Sequence, residues 1–100
     1  MTIAGPVATS VRRKLEAAFS PLSLDIVDES ARHAGHAGAR IDDDGTPGET
    51  HFRVRIVSPA FAGLSRLERQ RQIYALLSDE LASGIHALAL VTLTPEEAAR

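Results

Sequence analysis

The sequence predicts an α+β domain, a two-layer sandwich with long helices on one face of a three-stranded mixed sheet. Three observations carry this. Apolar residues recur with a helical period near 11–19 and 67–81, and with a period of two near 22–28 and 50–58. The motif Ser65-x-x-Glu68 is a capping box opening the second helical stretch. Strand, helix and apolar strand then follow one another over 50–91, the pattern of a right-handed parallel crossover.

The elements follow in the order helix, strand, strand, helix, strand, short helix. Residues 1–8 carry Gly5 and Pro6 without a period and read as a loose tail. The first helix starts near Ser10, with Thr9 or Ser10 as N-cap. Val11, Leu15, Ala18 and Phe19 form its apolar face, and Pro21 stops it. Leu22, Leu24 and Ile26 then alternate with Ser23 and Asp25 as a half-buried strand. A second strand over 50–58 sets Phe52, Val54 and Ile56 on one face and His51, Arg53 and Arg55 on the other. The two strands are expected to be antiparallel, with Asp25 and the arginines sharing the open face. Between them lie about 20 residues, far more than the roughly 2–5 of a hairpin loop. This segment, with "HAGHAG" and "DDDGTPGE", has little to bury and is expected to be the least ordered part of the chain.

Leu67, Gln70, Ile73, Tyr74, Leu77 and Leu81 predict one helix of roughly 17 residues ending at Gly84. "IHALALV" at 85–91 is almost wholly apolar and reads as a strand buried on both faces. Thr94, Pro95 and Glu97 supply N-cap, N1 proline and N3 glutamate for a short terminal helix.

One hundred residues with 44% hydrophobic and 24% charged content describe a single globular domain. Eleven basic against thirteen acidic residues give a net charge of −2, which excludes a protein that coats nucleic acid by charge alone. The absence of cysteine excludes disulfides, a thiolate nucleophile and any metal site built on this chain's own sulfur. No apolar run approaches the roughly 18 residues of a membrane span, and the N-terminus lacks the pattern of a secretory signal. A cytoplasmic location is the expectation.

The segments "VDESARH" (27–33), "THFRVRIVSPAFAGLSRLERQRQIYALLSDEL" (50–81) and "IHALALVTLTPEE" (85–97) resemble the BolA family in order and spacing. With the first helix they cover nearly the whole chain, as a single domain over 9–100. The resemblance implies a fold similar to class II KH domains. It implies two activities: partnership with monothiol glutaredoxins through a shared [2Fe–2S] cluster, and duplex DNA binding with control of stress and morphology genes. It places a family histidine at His86, and a second ligand at His33 with His36 as the alternate. The chain departs from the family in one place, having Arg69-Gln70-Arg71 where Arg-His-Arg is common.

An imidazole on a rigid strand is a competent iron ligand, and His86 shares parity with Leu88 and Leu90. The bland alternative is a core-edge histidine. His33 and His36 form an H-x-x-H pair in a loop, where nothing in the sequence enforces their geometry. An open zinc site of His33, His36 and His86 is a further alternative. His51, near the same end, reads as structural. With no cysteine, a shared cluster must draw its sulfur from the partner's cysteine and from glutathione. The chain is therefore a half-site, a monomer that holds no cofactor alone. Arg66, Arg69 and Arg71, with Arg53 and Arg55, form the local basic density and are the candidate phosphate contacts. The turn "PAFAGLSR" has a single glycine, so the G-x-x-G clamp of KH domains is missing. No arrangement of nucleophile and base and no phosphate loop supports catalysis. "DDDG" at 42–45 meets Arg53, not glutamate, at the twelfth position of a calcium loop.

Overall fold

The computed structural model of the protein describes residues 5–29 and 50–100. The expectation about the order of 30–49, and the loop histidines His33 and His36, fall outside them.

Helix α1 spans Pro6–Phe19, so it begins four residues before the expected start. Proline is at home there: at the first helical position its missing N–H has no intrahelical acceptor to lose, and its fixed φ is already helical. Gly5 is the N-cap, and Val7 and Ala8 pack against the core, so this part of the expected tail is the first turn. Thr9 is not the cap; its hydroxyl donates to the Gly5 carbonyl at 2.9 Å. The helix ends at Ser20, in the left-handed region at φ 45°, immediately before Pro21.

Strand β1 (Ser23–Asp28) runs antiparallel to β2 (His51–Val57), and β3 (Ala87–Leu93) runs parallel to it, in the order β1-β2-β3. These are the directions the sequence predicts. Phe52, Val54 and Ile56 of central β2 are buried beneath the helices, and Arg53 and Asp25 face outward. Leu22 lies outside the strand and is largely exposed, so the alternating core face consists of Leu24 and Ile26.

The expectation that β3 is buried on both faces is wrong. Ala87, Ala89 and Val91 face solvent, and Leu88, Leu90 and Thr92 face the helices. β3 is an edge strand with a single helical layer over it. Its unbroken apolar reading arises from alanines, which are small enough to sit in water at little cost.

After β2, a 3-10 turn at Pro59–Phe61 buries Phe61 against Phe19, ring centroids 5.0 Å apart. The fully buried Ser58 donates its hydroxyl to the Phe19 carbonyl at 2.6 Å and accepts from the Ala60 N–H. Gly63 closes this turn at φ +82°, a conformation that side chains other than glycine's rarely adopt.

The expected single long helix is two pieces, α2 (Arg66–Leu76) and α3 (Ser78–Ser83), separated at Leu77. The axis continues, because the Leu77 N–H still reaches Ile73 O and the Leu81 N–H still reaches Leu77 O, both at 2.9 Å. The buried stripe also differs from the expected one. Leu67 and Tyr74 are exposed, and the inward line runs Arg69, Ile73, Leu77, Glu80. Two of those four are charged, so an apolar criterion misses them. Both predicted capping boxes form: Ser65 with Glu68, and Thr94 with Glu97 at the head of α4 (Pro95–Ala98).

The two outer strands carry side-chain caps. The Ala87 N–H bonds Thr50 O and the Leu93 carbonyl accepts from Ser58, so both groups point toward β2. By alternation, the backbone groups of Leu88, Leu90 and Thr92 point to the free edge. Tyr74 Oη donates to the Leu88 carbonyl at 3.0 Å, and Arg69 Nη1 to that of Thr92 at 2.9 Å. On the other edge Arg12 reaches the Leu24 carbonyl at 3.4 Å.

Candidate functional site

His86 sits one residue before β3, where its backbone is held on both sides. Its N–H bonds the Thr50 carbonyl at 2.7 Å, and the preceding Ile85 is buried with its N–H on Glu80 O at 3.3 Å. The side chain is nonetheless exposed, and neither ring nitrogen has a hydrogen-bond partner among the described residues. This excludes a core-edge histidine. It is a rigidly mounted imidazole whose two nitrogens are unspent among the described residues.

His51 lies beside it. The parallel register sets His51 opposite Ala87, and the two imidazoles stack with centroids 6.4 Å apart and planes 20° from parallel. Thr50 Oγ1 lies 2.8 Å from His51 Nδ1, which fixes one ring nitrogen. His51, expected from the sequence to be structural, is placed next to His86 by the parallel strand register. Among the described residues no group of three or more potential metal ligands occurs. Among the described residues the two imidazoles, His86 and His51, are the donors brought together at this end of the sheet.

The arginine trio does not act as a unit. Arg69 is buried, with Nε on Leu64 O (3.0 Å), Nη1 on Thr92 O (2.9 Å) and both terminal nitrogens on the Glu97 carboxylate (2.7 and 3.2 Å). The guanidinium also lies over the Phe61 ring, 5.7 Å from its centroid. Its role as a phosphate contact is thus corrected: it ties α2 to β3 and α4. The Arg69 hydrogen bonds, with the Thr94 N–H, hold the Glu97 carboxyl at about 2 against the opposing effect of burial. Arg66 and Arg71 remain exposed. Five residues apart on a helix, they point about 140° apart around the axis, so they do not form one phosphate-facing row.

A second tie joins the other end. Glu80, 7% exposed, accepts from Ser10 and from Lys14 Nζ at 3.0 Å, fastening α3 to α1. Burial acts to raise this carboxyl, and the Ser10, Lys14 and backbone hydrogen bonds outweigh it, leaving it below its ordinary value.

A family model described as BolA-like protein matches residues 15–97. The chain belongs to the BolA-like family. It is 53% identical over 87 residues to SufE-like protein 1, chloroplastic/mitochondrial, of Arabidopsis thaliana, covering 87% of this chain and 23% of that protein. It is 47% identical over 92 residues to Protein BOLA1, chloroplastic, of the same plant, covering 90% and 54%. The chain thus spans less than two thirds of either relative. The DNA-binding transcriptional regulator BolA of Escherichia coli is 45% identical over 87 residues, covering 87% and 74%. The solved structure of BolA1 from Arabidopsis thaliana superposes with a TM-score of 0.81 at 44% identity, covering 96% of this chain and 98% of that one. The mixed α+β sandwich is the fold of these BolA domains. Among the described residues no helix is long and apolar enough to cross a membrane.

Proposed function

We propose that this chain works by binding rather than catalysis, as the partner of a monothiol glutaredoxin with which it shares a [2Fe–2S] cluster, in iron–sulfur trafficking or iron sensing. One observation carries the reading. His86 has a pinned backbone, an exposed side chain and two ring nitrogens unspent among the described residues, beside a second imidazole at 6.4 Å. A bound cluster supplies one-electron chemistry, and imidazole in place of thiolate raises its potential. This chain's own residues do less and do it by position. Thr50 O and buried Ile85 fix the origin of the His86 side chain, and Thr50 Oγ1 sets the ring of His51. His86 is the principal ligand in this reading, and His33, with His36 as alternate, is the second. The partner's cysteine and glutathione provide the sulfur that a chain without cysteine lacks.

Anaerobic reconstitution with a monothiol glutaredoxin and glutathione tests it. The visible spectrum of the partner's cluster is expected to change when this chain is added. His86→Ala abolishes that change, and His33→Ala weakens it. A wild-type spectrum with the His86→Ala variant overturns the assignment.

A second reading is a DNA-binding regulator, supported by the name of the Escherichia coli relative and by exposed Arg66 and Arg71. Duplex binding would then weaken with salt at a log–log slope of roughly −0.9 per phosphate contact. Replacing both arginines by alanine flattens that slope. An unchanged slope in the double variant removes them from the interface.

A further inference from the structure

We propose that His86 and His51 together form a site for a divalent transition-metal ion of the zinc, copper or nickel type, taken up by this chain alone. The site stands on the two imidazoles and does not rest on the glutaredoxin reading. Their ring centroids are 6.4 Å apart, with planes 20° from parallel. One residue fixes both mounts. The Thr50 carbonyl accepts from the His86 and Ala87 N–H groups at 2.7 and 3.1 Å, and the Thr50 hydroxyl lies 2.8 Å from His51 Nδ1. His86 has the strand parity of Leu88 and Leu90, but it stands one residue before β3 and is exposed, so its ring lies beside His51.

The spacing fits an ion between the rings. Two imidazoles on one tetrahedral ion, each nitrogen about 2.0–2.1 Å from it, have centroids roughly 5 Å apart. The remaining distance of about 1.4 Å is closed by turning the His86 side chain between rotamers. No hydrogen bond among the described residues resists that turn. A hydrogen bond at one ring nitrogen is also what orients a metal-binding histidine and fixes its tautomer. The Thr50 contact at Nδ1 assigns the metal to Nε2 of His51. Donor chemistry then selects the ion. Neutral imidazole suits zinc, copper and nickel, whereas magnesium and calcium demand oxygen ligands. No third such donor joins the pair among the described residues, so water fills the other positions. Arg53, two residues along β2, pairs through Nε with Glu29 at 3.3 Å, which offsets its repulsion of a cation. An ion held here occupies the His86 nitrogen that the proposed function gives to the cluster, so the two exclude each other; that consequence alone rests on the proposed function.

The experiment titrates the full chain with zinc chloride, and separately with magnesium chloride, by calorimetry in a buffer that binds neither ion. One zinc per chain is expected, with no binding of magnesium. His86→Ala and His51→Ala should each weaken zinc binding at least tenfold, and Thr50→Val about tenfold. His33→Ala combined with His36→Ala should change it less than twofold. Nickel chloride, added below one equivalent, should broaden the amide signals of 50–52 and 85–88 before any others. Thermal unfolding reports whether each variant is folded; if His51→Ala is not, the nickel map of the wild-type chain decides. Absence of zinc binding in wild type, or broadening centred elsewhere, overturns the proposal. So does zinc binding that survives either single histidine variant, or that is lost with the loop pair, because the ion then sits on other donors. None of these outcomes touches the glutaredoxin reading, which the mixed-complex spectrum of His86→Ala tests separately.

Discussion

The two ends of β3 are built to opposite ends. At its C-terminal end the charged side chains Arg69 and Glu97 are spent, while the buried Thr92 hydroxyl has no hydrogen-bond partner among the described residues. Arg69 satisfies two carbonyls and a carboxylate, Glu97 also closes the cap of α4, and Thr92 and Thr94 are buried with them. At the N-terminal end the backbone is equally well held, but the imidazole of His86 is left without a hydrogen-bond partner among the described residues. A charged group in a protein is therefore a poor guide to function until its partners are counted. Arg69 bonds two carbonyls and a carboxylate and is structural; the His86 side chain makes no such bond among the described residues and is the candidate ligand.

The largest effect should come from breaking the closed end. Arg69→Ala removes hydrogen bonds to the Leu64 and Thr92 carbonyls and a buried guanidinium. At about 1 kcal/mol for each bond, the expected loss is about 2–3 kcal/mol. That lowers Tm by on the order of 10–20 °C in a domain of this size, as thermal unfolding followed by circular dichroism would record. A loss under about 0.5 kcal/mol would mean that the lock contributes no more than a surface pair.

Acid sharpens the same contrast. Glu97 titrates at about 2 in the folded chain, against an ordinary value of 4.5. A depressed carboxyl contributes stability that is complete above about pH 4.5 and disappears as pH falls toward 2. Glu80 and Glu68 are lowered too and add in the same direction; for Glu68 the chief cause is hydrogen bonding from the Ser65 backbone N–H and hydroxyl. Wild type should destabilise between pH 5 and 2 in denaturant melts, and Arg69→Ala should do so less steeply. Equal slopes would show that Arg69 is not what holds Glu97 down.

Smaller still is the cap. Ser65→Ala removes the hydroxyl that accepts from the Glu68 N–H at 3.1 Å and should cost about 1 kcal/mol. Smallest is the open end: His86→Ala should change stability by less than about 0.5 kcal/mol, since the side chain is exposed. Unfolding of that variant would return His86 to a structural role.

Legibility in the sequence follows the range of the interaction. Both capping boxes and the alternation of β2 are settled within four to seven residues, and both were readable from spacing. The start of α1 was not, because a proline that breaks a helix from inside opens one from its first position. Arg69 was read as a surface charge because its partner, Glu97, lies 28 residues away on another helix. His86 was named by family resemblance. Its exposure, and its nearness to His51, depend on a parallel strand register that composition does not encode. The outward side of β3 was misread because alanine counts as apolar wherever it stands.

The tyrosine and arginine that cap the β3 carbonyls bear on how this small sheet meets other molecules. An open edge invites growth, strand on strand, and a three-stranded sheet has two such edges for very little mass. Here a newcomer seeking to lengthen the sheet beyond β3 must first evict the Tyr74 hydroxyl from Leu88 and a buried guanidinium from Thr92, and on the far side displace Arg12 from Leu24. Polymerisation by edge pairing is thereby discouraged at both borders, and contact is diverted from the rim of the sheet to its surface.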